Sequence, residues 1–390
     1  MNASGSGVAR ALDGLRLIDH HGHGIIGTPV DRSTFEALIT EGFAPAPPGT
    51  SHVDSPIGLA IRRWCAPQLD LPSMAPVETY LERRRQLGPE EVNRRLLRAA
   101  GLGALLLDSG YRPDGAADPA AMEELTGAPI FEIVRLEAVA ETVAASEVAA
   151  SGYPDAFRRA LDERAHSAVG LKTVVAYRGG FGFDPEPPGD RAVVEAAGRW
   201  LREPGPRRLE DPILLRFGIW TGAELARERS MPLQVHAGWG DPDLTLHLAN
   251  PSLLTDLVKR LGPMGVNVVF LHCYPYHREA AYLASVLPNV YFDVGQTLTY
   301  TGASATRILA EALELAPFAK QLYSSDAFGL AELYLLGAVA FRRGLGRILA
   351  GWVEAGNCSP DDAERIARMI AVGNAERIYP LGRRVDGGTG

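Results

Sequence analysis

The chain has 390 residues, 46% of them hydrophobic, enough for a large core in one domain with an insertion. Its net charge of −8 and the lack of a long basic run argue against nucleic acid as a partner, and no apolar stretch approaches the roughly 18 residues that span a bilayer. Cys65, Cys273 and Cys358 form no C-x-x-C pair, and MNASGSGVAR lacks the apolar core of a signal peptide, so the expectation is a cytoplasmic protein with reduced thiols and a small molecule as its partner.

Short apolar runs alternate with helical segments, as in βα units around a parallel sheet buried on both faces. Eight runs stand out: 15–21 (LRLIDHH), 104–108 (ALLLD), 130–136 (IFEIVRL), 170–177 (GLKTVVAY), 233–237 (LQVHA), 266–273 (VNVVFLHC), 290–294 (VYFDV) and 322–326 (LYSSD). Between the first two, GFAPAPPGTSHVDSP reads as loop and 76–100 as helix. Residues 28–98 are therefore expected to form a mostly helical insertion over the sheet's C-terminal ends. FDPEPPGD and a helix over 191–202 lengthen the fourth loop. Residues 1–380 are read as one domain, and the tail from 381 as disordered.

A doubly wound sheet would alternate in the same way. However, no GxGxxG follows the first run, and most runs carry His, Lys, Asp or Glu at their C-terminal ends, where barrel enzymes place their catalytic groups. The fold class is therefore α/β, a (β/α)8 TIM-like barrel.

In DHHGHG, His21 and His23 lie two apart, so on a strand both imidazoles face one side and can reach one cation, while His20 faces away as a packing or supporting residue. Lys172 sits in an apolar strand. An ammonium there needs a carboxylate partner, or the lysine is carbamylated and bridges two metals. Tyr177 is placed to face an oxyanion and Arg178 a substrate carboxylate. His236 and His272 close two strands of similar grammar and suit a second metal position. Asp326 ends the last run, where it can bind metal and accept a proton. Glu137 is a weaker candidate, explained equally by a pair with arginine. Asp241, Asp243, Arg278 and Glu332, just beyond strand ends, are candidates for substrate contacts.

HxH after strand one, Lys after strand four, His after strands five and six and Asp after strand eight resemble the ligand set of the amidohydrolase superfamily. LKTVVAYRGG, PLQVHAGWGDPDL and YSSDAFGLAELYLLGA resemble, more narrowly, the amidohydrolase-like domain that is fused to a glutamine synthetase domain in the FluG and nodulin/glutamine synthetase-like group. The resemblance implies a metal-dependent hydrolase with one or two divalent ions, zinc first, with manganese, iron or nickel as other choices. It also implies cleavage of a C–N bond in a small amino-acid-like or carboxylate-bearing substrate, with decarboxylation and a non-catalytic scaffold as the other readings. Homo-oligomerisation is left open.

Overall fold

In a computed structural model that describes residues 12–203 and 208–382, seven parallel strands pair in chain order to form one curled sheet. They are β1 (Leu17–Gly22), β2 (Leu102–Asp108), β3 (Ile130–Arg135), β4 (Gly170–Thr173), β5 (Leu233–Ala237), β6 (Val268–His272) and β7 (Val290–Phe292). The alternation along each strand divides the core in two. Leu17, Leu105, Leu107 and Leu233 face the surrounding helices. Ile18, Ala104, Leu106, Ile133, Val269 and Leu271 pack together on the concave side. Each such leucine contributes about 1.5–3 kcal/mol by leaving water.

The helices between strands start where the sequence places caps. Asp118 and Asp211 accept the N–H groups of Ala121 and Ile213, and in both helices a proline takes the first position, where its missing N–H costs nothing. Among the described residues no helix is long and apolar enough to cross a membrane.

Three boundaries differ from the sequence expectation. The run 170–177 keeps strand form only to Thr173. Glu137 there accepts Thr173 Oγ1 at 2.5 Å and Val174 N–H at 3.0 Å, and Val175–Arg178 coils into a 3-10 turn. The helix expected over 76–100 is two helices, Val77–Leu87 and Pro89–Ala100. Gly88 between them has φ +77°, a left-handed conformation that a side chain would strain. Pro89–Ala100 belongs to the helical layer, burying Val92, Leu96, Leu97 and Ala100 against the helices Ala331–Glu354 and Pro119–Thr126.

The eighth run forms no regular strand. Its backbone nevertheless bonds to both ends of the sheet: Leu322 N donates to Phe292 O at 3.0 Å, His20 N to Tyr323 O at 3.2 Å and Asp326 N to His21 O at 3.0 Å. The tail read as disordered lies outside the described residues from 383 onward.

Candidate metal centre and its pocket

At the C-terminal ends of the strands, polar side chains converge where apolar ones end. His21 Nε2 is 3.1 Å and His23 Nε2 3.4 Å from Asp326 Oδ1, and His272 Nε2 is 3.3 Å from Asp326 Oδ2. The ring of His236 lies 4.9 Å from that of His272. Donor atoms of His21, His23 and Asp326 all fall within 4.8 Å of one another. His272 and Asp326 have φ of 66° and 50°, conformations that cost a non-glycine residue about 1–2 kcal/mol each. Surrounding packing holds that strain at the centre.

Supporting residues fix the orientation of each ligand. His21 Nδ1 lies 2.9 Å from Gln234 Oε1. The Gln234 amide is itself oriented by donating from Nε2 to His20 O and to Tyr379 Oη, each at 2.9 Å. His21 therefore donates from Nδ1 and turns a lone pair at Nε2 toward the centre. His20 stays outside the donor set, with Nδ1 3.0 Å from Tyr379 Oη and Nε2 3.0 Å from Asp293 Oδ2.

Burial pushes the His21 imidazole down to about 3, with Lys172 acting in the same direction, and holds His236 well below its ordinary value, with His272 adding to the effect. Burial also lowers His272, against the opposing pull of Asp326 and Asp293. For Asp326, burial works upward, but the surrounding histidines, His272 foremost, prevail and hold the carboxyl well below the usual range. His21, His236 and His272 are thus neutral imidazoles beside an anionic carboxylate, the protonation states a divalent cation requires. His236 Nε2 and His272 Nε2 are buried without hydrogen-bond partners, a costly state for polar atoms that coordination would relieve. This donor set fits a divalent metal.

Lys172 Nζ lies 2.9 Å from His21 Nε2 and 2.9 Å from Asp108 Oδ2. Arg135 Nη2 also bonds Asp108 Oδ2, at 2.5 Å. Burial works to raise the Asp108 carboxyl, but Arg135 and Lys172 hold it well below its ordinary value.

Above the centre opens a cavity of about 580 Å³, with His23, Lys172, His236 and Asp326 in its floor. Tyr177 stands in the wall with its ring 4.4 Å from that of His236. Its hydroxyl is raised far above the phenolic range by burial, and so is a donor. Arg178 also lines the wall. Its Nη2 bonds Glu141 at 3.3 Å, while Nε is buried and unpartnered. Asp241 and Asp243 line the same cavity, the latter held by Arg208 at 2.7 Å.

Three sequence candidates stand elsewhere. Arg278 is exposed on the helix His277–Val286 and bonds Glu314 at 3.0 Å, because its helix carries it outward after β6. Glu332 is fully buried, accepting Tyr80 Oη at 2.8 Å and Arg84 Nε at 2.7 Å. It ties the helix Val77–Leu87 to the helix Ala331–Glu354 and does not line the cavity. Glu137 caps the end of β4 and is likewise absent from the cavity lining.

The sequence reading missed Asp108, Arg135, Gln234 and Asp293, and the wall residue Glu41. The first four lie within the named runs, and the strand-end position that singled out Lys172 could have found Asp108 and Arg135. Glu41 sits in an irregular segment and carried no signal.

The Amidohydrolase family profile matches residues 111–381, a stretch that holds Lys172, His236, His272 and Asp326. FluG of Emericella nidulans is 28% identical over 94% of this chain, which spans 46% of FluG. A proposed metal-dependent hydrolase from Lactobacillus casei superposes with a TM-score of 0.83 and 29% identity, covering 97% of this chain and 98% of that one. A uronate isomerase from Thermotoga maritima shares the fold, with a TM-score of 0.64 at 13% identity over 97% and 98% of the two chains. With more than half of its residues matched by that profile, the chain belongs to the amidohydrolase family.

Proposed function

We propose that this protein is a metal-dependent hydrolase that cleaves the amide C–N bond of a small substrate bearing a carboxylate. The observation that carries the reading is the convergence of His21, His23 and His272 on Asp326, with His236 beside them, beneath a cavity whose wall carries Arg178. His21, His23 and Asp326 would hold one ion, with His236 and His272 beside it. A divalent ion held there, zinc first, supplies Lewis acidity toward a carbonyl and toward water.

The chain's own residues do the rest. Arg178 holds the substrate carboxylate, leaving the scissile carbonyl over the floor. Tyr177 donates its hydroxyl to the oxygen that gains charge when water attacks the carbonyl carbon. Asp326 takes the proton that water loses as the C–O bond forms, and returns it to nitrogen as the C–N bond breaks. In this reading Lys172 is an ammonium. Asp108 supplies the carboxylate partner that an ammonium in this strand needs, and this supports the ammonium over the carbamate, the other reading of Lys172 in its apolar strand.

The same reading takes the run 322–326 as the eighth strand, closing a (β/α)8 barrel, on the strength of its bonds toward β7 and β1. It takes the segment after β1 as a cover, because Leu38, Glu41 and Phe43 line the cavity.

The test is a screen of the zinc-loaded protein against small amides and, in parallel, against aromatic and enol acids. Amine release from carboxylate-bearing amides is expected. Release of carbon dioxide from the acids without amine release would replace hydrolysis by C–C cleavage.

A further inference from the structure

Several charges in the cavity wall already neutralise one another. Asp108 takes Arg135 and Lys172, and Asp243 takes Arg208. With these pairs set aside, and Asp326 assigned to the metal centre, three charged side chains of the lining remain. Arg178 meets Glu141 through Nη2, at the long distance of 3.3 Å. The carboxyls of Glu41 and Asp241 have no cation within ion-pair distance among the described residues.

Glu41 is half-buried as a residue, and its carboxyl is the enclosed end, facing Gln296 and Tyr300. Burial, together with the like charges of Asp326 and Asp241, pushes that carboxyl up to about 7. Two neighbouring carboxyls without a counter-cation are unfavourable in the free protein and become favourable when a cation arrives with the ligand. Among the described residues the three-donor metal set is His21, His23 and Asp326, which leaves Glu41 and Asp241 outside it and suits them to an organic cation. Arg178 lines the same cavity and suits a ligand that also carries an anion.

We infer that the cavity selects a zwitterion, an α-amino acid whose side chain carries the scissile amide, with its carboxylate on Arg178 and its ammonium on Glu41 and Asp241. The scissile amide rests on the reading above, whereas selection of the zwitterion does not. Glu41 is then a specificity-determining residue contributed by the segment between β1 and β2.

The experiment titrates L-glutamate and L-aspartate, and their counterparts without the amino group, glutarate and succinate, into the zinc-loaded full chain by calorimetry. The wild type is expected to bind the amino acid of at least one pair about tenfold more tightly, the usual scale of one charge-assisted contact. Glu41→Gln should bring that ratio close to one, and Glu41→Asp, which keeps the charge, should retain part of it. Loss of thermal stability in Glu41→Gln would be recognised by its melting curve, and the Glu41→Asp ratio then decides. No preference in the wild type for either amino acid, or a preference undiminished in Glu41→Gln, overturns the inference. If the preference holds but L-glutamine and L-asparagine release no ammonia, amide hydrolysis fails and zwitterion selection stands. Hydrolysis of amides with no amino preference has the reverse meaning.

Discussion

A β-carbon on Gly240 would stand 2.0 Å from the Tyr177 hydroxyl and 3.1 Å from His236 Nε2, so this position must be glycine for the tyrosine to reach the floor. Gly240→Ala should therefore displace Tyr177, lowering kcat on an amide by about 10²–10³-fold, as expected for a lost oxyanion donor, while the melting temperature changes little. Normal turnover in that variant would remove Tyr177 from the reaction. The pair His21 and His23 was legible because a strand's period of two states which side chains share a face. His21→Ala with His23→Ala should abolish stoichiometric metal in elemental analysis yet keep the native circular dichroism, since Leu17 and Ile18 hold β1 in the core. Asp108 was not legible as the partner of Lys172, because that contact joins strands 64 positions apart in the chain, by subtraction of their residue numbers, and only the sheet's register brings them together. Glu41 adds a pH signature. In the folded metal-free protein its carboxyl stays protonated up to about 7, whereas in the unfolded chain it ionises near the ordinary glutamate value of 4.5. The folded state binds this proton more tightly, so this group makes stability fall as pH rises through that window. Glu41→Gln should thus gain stability over the parent at about pH 8 and gain none at about pH 4, by urea unfolding.

At the scale of elements, a polar link between the helical layer and the segment proposed above as a cover is the buried trio Tyr80, Arg84 and Glu332. Glu332→Ala would leave the Arg84 guanidinium buried and unpaired, so a loss of about 3–5 kcal/mol is expected in chemical denaturation. A loss below 1 kcal/mol would show that the cover is anchored by apolar packing alone. Glu332 looked like a substrate contact in the sequence because it closely follows the last run. The helix starting at Ala331 instead turns it into the core, and no local pattern announces that rotation. Strand positions were legible from their unbroken apolar runs, which a sheet buried on both faces demands. Their ends were less so: β4 stops at Thr173 because Glu137, from the helix Leu136–Ala145 that follows β3, captures the next backbone N–H.

For the whole molecule, metal and folding are linked. The ligands converge only in the native state, so an ion held there stabilises it by mass action, by about 4 kcal/mol at a thousandfold excess over Kd. Chelation should lower the melting temperature, and added zinc should restore it in proportion to the logarithm of its concentration. The double histidine variant should show neither effect. The α/β class was legible across the chain because alternation of runs and helices persists throughout. The irregular eighth run was not, since its bonds are divided between β7 and β1 and do not form one continuous ladder. The feature with the widest reach is the contact of Tyr379 with Gln234, which in turn orients His21. During synthesis, Tyr379 emerges 358 positions after His21, by subtraction of their residue numbers. A nascent chain that has not yet exposed Tyr379 should be unable to retain zinc, so metal acquisition waits for the helix Asn374–Ile378 and the tyrosine that follows it.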